Sequence, residues 1–368
     1  MLLLIWVPLK EFLKSKIPNC MKKYLKYVFS LALVGFMYLN LLYGQEDFNP
    51  EQKRKLRFLF YNVENAFDTL DNPGTNDDEF LPDGVRHWDR YRYDQKLNKI
   101  YKVFMATGGW NPPDLIGLCE IENGKVLEDI LHKTPFSKYQ YQYVHQNSPD
   151  HRGIDVALLF NPQTFYPISK DFIPVDLPEK YSSTREILYV KGETKYHDTL
   201  HIFINHWPSK YGGAAKSQPK RKTAARTLRR KIDSVFNEEE NAAIIIAGDF
   251  NDGPDSESIR KHLKALQPGD TIIHDKLYNL SSSWMNNLLG THKYQGDWNI
   301  LDQFIVSGSL IGKNTGLNAT FSEAVIFSPD YLMEKDTKYV GKKPFRTYNG
   351  YRYNGGFSDH LPILLDLK

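Results

Sequence analysis

Short apolar segments, spaced along nearly the whole chain after residue 50, constrain the fold more than any other feature of the sequence. Ile244, Ile245 and Ile246 form an uninterrupted β-branched run, which is typical of a strand buried on both faces. Residues 56–62 carry apolar side chains at alternate positions and are also predicted as a strand. Further strands are predicted at residues 114–120, 141–145, 154–160, 186–191, 200–205, 242–247, 300–307, 324–327 and 363–367.

Amphipathic segments separate several of these strands. Residues 93–107 place their apolar side chains on one helical face and stop at Gly108-Gly109, and helices are also predicted at 126–133 and 219–236. No Pro/Ser-rich linker, repeat or low-complexity tract divides residues 51–368. The sequence therefore predicts one mixed α/β domain, residues 55–368, whose sheets are covered by helices.

The N-terminus has the pattern of an export signal. Lys22 and Lys23 follow Met21, residues 28–42 are apolar, and Gly44-Gln45 offers a small residue before a polar joint at 45–54. Residues 1–44 are therefore predicted to be an export signal with an upstream extension, and the mature protein to be periplasmic or secreted. The apolar run is short for a span of about 20 residues, although a membrane anchor formed by an uncleaved signal stays open.

Charge and cysteine content exclude some classes of protein. The chain has a net charge of +3, but its first 44 residues hold six lysines and one glutamate, so the remainder has a net charge of −2. A nucleic-acid binder that relies on bulk charge usually has a basic surplus. The positive cluster at 216–231 fits either a helix that steers polyanions or a solvated helix face. With Cys20 in the leader, Cys119 is alone, so neither a disulfide nor a thiolate zinc cluster is expected.

Polar residues follow the predicted strands at the points where those strands end. In α/β sheets ligands collect at the carboxyl ends of strands, which favours a shared site. Carboxylates and amides without thiols make a hard-oxygen site, suited to Mg²⁺ or Mn²⁺ rather than zinc. The residues are Asn62, Glu120, His206, Asp249, Asn251, Asp302, Asp359 and His360.

Hydrolysis of a phosphodiester requires the functions that these side chains can supply. The reaction requires a cation on a non-bridging oxygen, a group that orients water, and donors for the developing charge. Glu120 would hold the metal, Asp249 would position the water, and two histidines would supply protons and positive charge. Each segment alone is also typical of a turn, a cap or a solvated rim. Together, in this order, they indicate one active site.

The segments Gly248-Asp249-Phe250-Asn251 and Ser358-Asp359-His360 resemble the endonuclease/exonuclease/phosphatase superfamily, in its secreted bacterial, deoxyribonuclease-like branch. Residues 61–65 and Glu120 stand where that family has its other motifs, and the resemblance runs over residues 56–367. The resemblance implies an α/β (α+β) fold, a four-layer sandwich of two packed mixed β-sheets flanked by helices. It also implies an active site at one edge of the sandwich.

The resemblance gives five of these residues a role around metal, water and phosphate. Asn62 and Glu120 resemble the pair on the metal side of the family's site. Asp359 resembles a further metal or network ligand. Asp249 and Asn251 resemble the pair that orients water and phosphate.

The histidines and two residues near a predicted strand complete the candidate site. By resemblance, His360 is the family's essential histidine, and Asp302 is the carboxylate that orients it. His206 resembles a second histidine of the secreted deoxyribonucleases and sphingomyelinases, which disfavours an abasic-site repair enzyme. Arg152 precedes a strand where relatives place a phosphate-contacting side chain. Asp155 is left uncertain, because a strand-start residue that bonds backbone is an equal alternative.

These predictions combine into one function with alternatives. The chain is predicted to be an exported Mg²⁺- or Mn²⁺-dependent hydrolase of phosphate esters, a nuclease or phosphodiesterase whose substrate is nucleic acid. A phospholipid or sphingomyelin phosphodiesterase, an inositol-phosphate phosphatase, and a non-catalytic binding protein remain as alternatives. No obligate protein partner is evident, and the sequence leaves the oligomeric state open.

Overall fold

A computed structural model describes residues 56–178, 183–267, 269, 271–311 and 316–368. The described residues all belong to one compact unit, Arg54–Lys368. The predicted export signal (1–44), the polar joint (45–54) and Cys20 therefore lie outside the described residues. Within the described part of the chain, no helix is both long and apolar enough to cross a membrane.

The first sheet has six strands in the order β14-β19-β1-β2-β4-β3. Strands β1 and β2 are parallel, and the other neighbouring pairs are antiparallel. The sheet is therefore mixed, as the sequence predicts. Its strands are β1 (Leu56–Ala66), β2 (Leu115–Ile121), β3 (Gln142–His145), β4 (Asp155–Phe160), β14 (Ala324–Ile326) and β19 (Ile363–Leu367).

The second sheet has seven strands in the order β5-β6-β7-β8-β13-β10-β9. Its central strands β7 and β8 are parallel, whereas β13 runs antiparallel to β8. The strands are β5 (Phe165–Ile173), β6 (Ile187–Thr194), β7 (Thr199–His206), β8 (Ile244–Asp249), β9 (Ala265–Leu266), β10 (Leu277–Asn279) and β13 (Asp302–Ser307).

Helices and small hairpins complete the unit. The α-helices are α1 (Arg90–Gly108), α2 (Gly124–Lys133) and α3 (Ala214–Glu238). Three two-stranded hairpins pair β11 (His292–Tyr294) with β12 (Asp297–Asn299), β15 (Met333–Lys335) with β16 (Lys342–Pro344), and β17 (Tyr348–Asn349) with β18 (Arg352–Tyr353). Short 3₁₀ turns cover Asp78–Phe80, Pro135–Tyr139, Leu280–Asn286, Gly308–Leu310, Phe321–Glu323 and Asp330–Leu332, and a π-helical turn covers Ser258–Leu263.

Three buried clusters of apolar side chains show how the layers stack. One cluster lies between the two sheets and includes Phe58 and Phe304, whose ring centroids are 5.5 Å apart. A second joins the outer face of the first sheet to α1 and α2, and a third joins the second sheet to α3 through residues such as Leu228. Helix, sheet, sheet and helix therefore form four layers, which confirms the predicted fold class.

Helix α3 begins earlier than predicted, and its ion pairs distinguish between the two interpretations of the basic cluster at 216–231. It begins at Ala214, so the predicted start at Pro219 is wrong, and the proline lies inside the helix. Arg221 is buried, and its Nε lies 2.8 Å from an Asp252 carboxylate oxygen. Lys222 pairs with Glu257 at 2.7 Å. These ion pairs favour a packed, internally balanced helix over a surface that steers polyanions.

Candidate active site

Strand register brings the predicted residues of the second sheet together at one edge. Asp249, the last residue of β8, lies beside His206 on β7 and Asp302 on β13. In the first sheet, Asn62 of β1 pairs with Cys119 of β2, so Glu120 follows directly at the same edge. Both sheets therefore deliver polar side chains to a common point.

The backbone at this edge is strained. Glu64, Asn65, Glu120 and Asn251 have φ values of 52°, 50°, 64° and 51°, in the left-handed region that side chains seldom adopt. The register of β1 and β2 shifts between Asn62 and Ala66, and that of β2 and β4 shifts beside Glu120. Such conformations cost about 1–3 kcal/mol each and cluster at functional sites, where they direct particular side chains.

Asp249 lies at the centre of the cluster. Its Oδ2 lies 3.1 Å from Asn62 Nδ2, 3.7 Å from His206 Nε2 and 3.8 Å from His360 Nε2. Glu120 Oε1 lies 3.8 Å from the same nitrogen of His206. Burial raises the pKa of the Asp249 carboxyl, and the neighbouring His360 opposes this shift. The carboxylates of Asp249 and Glu120 and the imidazoles of His206 and His360 therefore lie close together in a largely buried site.

His360 is held by a buried carboxylate. Its Nδ1 lies 2.7 Å from Asp302 Oδ2, and Asp302 is fully buried. Burial lowers the pKa of His360, but the Asp302 and Asp249 carboxylates outweigh it and bring the pKa well above its ordinary value. The backbone N–H of His360 donates to Ser358 Oγ, which fixes the segment. His360 is therefore an imidazolium near neutral pH.

The pKa of His206 shifts in the direction opposite to that of His360. Burial lowers its pKa well below the ordinary value, and the positive charges of Arg185 and Arg152 add to the shift. Its Nδ1 is buried and has no hydrogen-bond partner within the described part of the chain. The site therefore contains one charged and one neutral imidazole.

The two asparagines are oriented by the backbone. The N–H of Glu64 donates to Asn62 Oδ1, so the Nδ2 of Asn62 faces Glu120 and Asp249. In this orientation Asn62 presents a donor to the two carboxylates, and its place on the metal side stays a prediction. Asn251 donates from Nδ2 to Trp207 O and from its backbone N–H to Asp249 Oδ1.

Asp359 lies in a second charged cluster. Arg346 Nη2 is 2.9 Å from Asp359 Oδ2 and 3.0 Å from Glu64 Oε1. Behind them, the buried Lys96 donates to Thr347 Oγ1 at 2.6 Å and to a backbone carbonyl. Burial lowers the pKa of Lys96 to about 8. Asp359, predicted as a metal ligand, is thus already balanced by a cation from the chain itself.

Arg152 lies beside an ion pair that the sequence did not predict. Arg185 Nη1 is 2.8 Å from Asp150 Oδ2, and both side chains are buried. Arg152 lies 3.4 Å from the other oxygen of Asp150 and is 38% exposed. Two guanidinium groups therefore share the single carboxylate of Asp150, which leaves a net positive charge here. Asp155 instead bonds His145 Nε2 at 3.0 Å and the Ser148 N–H at 2.9 Å, which is a structural role.

A cavity of about 660 Å³ adjoins the cluster. Asn65 forms part of its wall, and the Asn65 N–H donates to Glu120 Oε2 at 2.8 Å, so the cavity borders the reaction centre. Arg152 and Arg185 line it on one side, and Tyr211, which is 95% exposed, adds a free ring face. The cavity therefore combines positive charge with an aromatic surface.

Comparison with known proteins assigns the family. Residues 57–368 match the Endonuclease/Exonuclease/phosphatase family. The chain belongs to this family. No curated protein matches the chain significantly in sequence. An endonuclease/exonuclease/phosphatase family protein from Bacteroides thetaiotaomicron has a similar structure, with 16% identity, a TM-score of 0.53, and coverage of 85% of this chain and 94% of that one.

Two further solved structures share the fold at low identity. The catalytic domain of human Nocturnin, solved with a bound sulfate anion, has 14% identity and a TM-score of 0.51, covering 85% of this chain and 94% of that one. TDP2 from D. rerio, solved with a single-strand DNA product, has 12% identity and a TM-score of 0.52, covering 85% and 98%. Chains of this family hydrolyse phosphate esters and generally use divalent metal ions.

The donor set of this chain fits such a metal. Glu120 Oε1 and Asp249 Oδ2 both lie within 3.8 Å of one nitrogen of His206, so carboxylate oxygens lie beside the imidazoles of the site. Burial is the largest cause of the raised pKa of Asp249, so this carboxylate is poorly hydrated. Oxygen donors suit a hard cation. Glu120, the predicted metal ligand, would hold it.

Several residues of the site were missed by sequence reasoning. Glu64, Arg346, Arg185 and His292 all contact predicted residues or pair with charges beside them. Arg185 gave a weak signal, as a charged residue at the start of an apolar strand. Glu64 lies within β1, whereas His292 and Arg346 lie in or beside hairpins whose position depends on tertiary packing.

Proposed function

We propose that the chain is an extracytoplasmic, Mg²⁺- or Mn²⁺-dependent phosphodiesterase whose substrate is nucleic acid. The observation that carries the proposal is the convergence of two buried imidazoles, whose pKa values shift in opposite directions, on one buried carboxylate. His360 and His206 lie 3.8 Å and 3.7 Å from Asp249 Oδ2. This arrangement pairs a proton donor with a proton acceptor around one reacting phosphate.

The residues divide the reaction between them. Asp249, desolvated and raised in pKa, accepts a hydrogen bond from the attacking water and orients it. The imidazolium of His360 donates to an oxygen on which negative charge grows. Asn62 and Arg152 contact non-bridging oxygens. A bound divalent cation would supply Lewis-acid polarisation of the phosphoryl group.

Nucleic acid is the substrate that the neighbouring cavity supports best. A positively charged wall with an exposed ring is the combination that contacts a phosphate and stacks a base. The fold neighbour from D. rerio was solved with a single-strand DNA product. The mature chain has no basic surplus, so contacts would be local rather than spread over a long duplex.

A substrate panel with Mg²⁺ tests this proposal. Plasmid DNA, RNA, sphingomyelin and inositol phosphates are incubated with the protein, and with a His360→Asn variant purified identically to reveal contaminating nuclease. Cleavage of DNA or RNA by the wild type alone is expected. Cleavage of only sphingomyelin or inositol phosphates would show that the substrate is a phospholipid or an inositol phosphate rather than nucleic acid. A panel with no turnover would favour a non-catalytic binding protein.

Export is tested separately. The basic start at Lys22-Lys23 and the apolar run 28–42 motivate it, and removal of the signal is expected to leave Gln45 at the N-terminus. N-terminal sequencing of the protein from its native host, after separation of periplasm, medium and membrane, checks this. A cytoplasmic product that still begins at Met1 or Met21 would contradict export, and a membrane-bound one would indicate an uncleaved anchor.

A further inference from the structure

The bond between His360 and Asp302 joins two segments that lie far apart in the chain. The residues are 58 positions apart, and the bond is 2.7 Å long. Asp302 begins β13 in the second sheet, whereas His360 precedes β19 in the first. Strand pairing within each sheet therefore does not set the distance between them. A contact that bridges the two segments would set it.

Thr291, at the base of the β11–β12 hairpin, makes such a contact with both segments. Its Oγ1 accepts hydrogen bonds from the backbone N–H groups of Leu301 and Asp302, each at 3.1 Å. Its carbonyl oxygen accepts a third from the N–H of Leu361, the residue after His360, at 2.7 Å. One residue is therefore bonded to the start of β13 and to the segment that carries the histidine.

The hairpin base is itself firmly packed. Thr291 is fully buried, and its N–H donates to Asn299 O at 2.8 Å. Gly290 allows this close approach, since a Cβ at that position would clash with the same carbonyl oxygen. The next residue, His292, forms an isolated antiparallel bridge with His360, and the two rings are 4.7 Å apart. The hairpin base therefore lies directly against the histidine.

The oxygen of the Thr291 side chain is the part that matters for this contact. A hydroxyl has two acceptor lone pairs, and the two N–H groups that lead into β13 use both. A valine would fill the same space and accept neither bond, whereas a serine would keep the acceptor. These two replacements therefore separate the hydrogen bonds from the volume of the side chain.

We infer that Thr291 is a positioning residue for the His360–Asp302 pair, an inference that rests on the proposed function. It holds the carboxylate of Asp302 behind His360 Nδ1, so that Nε2 is directed toward Asp249, 3.8 Å away. Without the hydroxyl, the start of β13 is released from the hairpin and the pair loses its fixed distance. A misplacement of about 1 Å far from the reacting atoms can cost on the order of 10²-fold in rate.

The first test compares the kinetics of Thr291→Val and Thr291→Ser. In Thr291→Val, kcat should fall by roughly 10–100-fold with little change in KM, because no contact with substrate is removed. Thr291→Ser should stay near wild type. In a His360→Asn background, Thr291→Val should cost hardly anything more, because residues that act as a unit are lost together. Losses that multiply would overturn the inference.

Thr134 provides a matched control at the end of α2. It is 4% exposed, and its Oγ1 accepts from the Phe136 N–H at 3.1 Å and donates to Ile130 O at 2.7 Å. Thr134→Val should lower the melting temperature and leave kcat unchanged. If kcat fell in both valine variants in proportion to their melting temperatures, the effect of Thr291 would be general destabilisation and the inference would be wrong.

The second test needs no turnover. In protein labelled with ¹⁵N-histidine, the proton between His360 Nδ1 and Asp302 should give a far-downfield NMR signal that is absent from His360→Asn. The signal should shift or broaden in Thr291→Val and stay unchanged in Thr291→Ser and Thr134→Val. If Thr291→Val does not fold, Thr291→Cys takes its place, since sulfur is a weaker acceptor.

The two tests fail in different ways. An unchanged signal in Thr291→Val, or a wild-type kcat in that variant, would overturn the positioning role. Absence of turnover on every substrate would count against the proposed function, while the NMR signal still decides whether Thr291 holds the pair.

Discussion

Exhaustive chelation with EDTA is expected to abolish hydrolysis, and Mg²⁺ or Mn²⁺ is expected to restore it. Glu120 Oε1 and Asp249 Oδ2 lie 3.8 Å and 3.7 Å from one nitrogen of His206, so oxygen donors that suit a hard cation lie beside the histidines of the site. A Lewis acid at this point contributes several kcal/mol to the transition state, on the order of 10³-fold or more in rate. Turnover after chelation, with the metal content verified as negligible, would end the metal hypothesis.

Two variants distinguish the loss of a cation ligand from a general loss of activity. Glu120→Gln keeps an oxygen for the Asn65 N–H but removes the charge. Its kcat should fall by roughly two to three orders of magnitude, and more Mg²⁺ should be needed to saturate it. Glu128→Gln makes the same change at a carboxylate that is 50% exposed on α2, and should behave like wild type. Equal Mg²⁺ dependence in both variants would remove Glu120 from the metal site.

Much of the fold could be predicted from the sequence because its central strands are apolar throughout. Residues 244–246 lie in β8, which is buried along its whole length, and β19 spans the residues predicted for it. Strand β5 was not predicted, because this edge strand is largely exposed and shows no regular apolar alternation. The start of α3 was misplaced because proline usually marks a first turn, whereas Pro219 lies within the helix.

The candidate site was predictable where it depends on strand ends. His206, Asp249 and Asp302 end or begin neighbouring strands, and strand register alone puts them side by side. Arg346 and His292 depend instead on loops and hairpins that return to the site from distant parts of the chain. Their sequence surroundings carry no periodic signal, since tertiary packing alone decides where such segments lie.

The left-handed backbone conformation of Glu120 could not be predicted from the sequence either. Nothing in the residues 119–122 distinguishes a regular strand end from one in which a register shift turns Glu120 toward the site. Asp359 was predicted as a metal or network ligand, and its neighbour Arg346 could not be placed from the sequence. The structure supplies that neighbour and makes Asp359 part of a balanced cluster.

Replacement of His360 is expected to lower kcat strongly. General acid–base and electrostatic contributions of a positioned imidazolium are worth about 10²–10⁴-fold each. His360→Ala would also leave the fully buried Asp302 charge unpaired, which costs stability and confuses the comparison. His360→Asn reduces this cost, because its side-chain N–H can still donate a hydrogen bond to Asp302 while it cannot carry a positive charge. Its kcat should fall by at least 10²-fold with little change in melting temperature.

A double-mutant cycle tests whether Asp302 acts through His360. Asp302→Asn keeps the volume and removes the charge that raises the pKa of His360, so kcat should fall, but by less than in His360→Asn. If Asp302 acts only through His360, the double variant should be hardly worse than His360→Asn alone, because residues that act as a unit are lost together. Losses that multiply would show that Asp302 acts independently of His360. A stable His360→Asn protein with near-normal kcat would remove the histidine from the mechanism, whereas a melting temperature that fell with normal kcat would assign it a structural role.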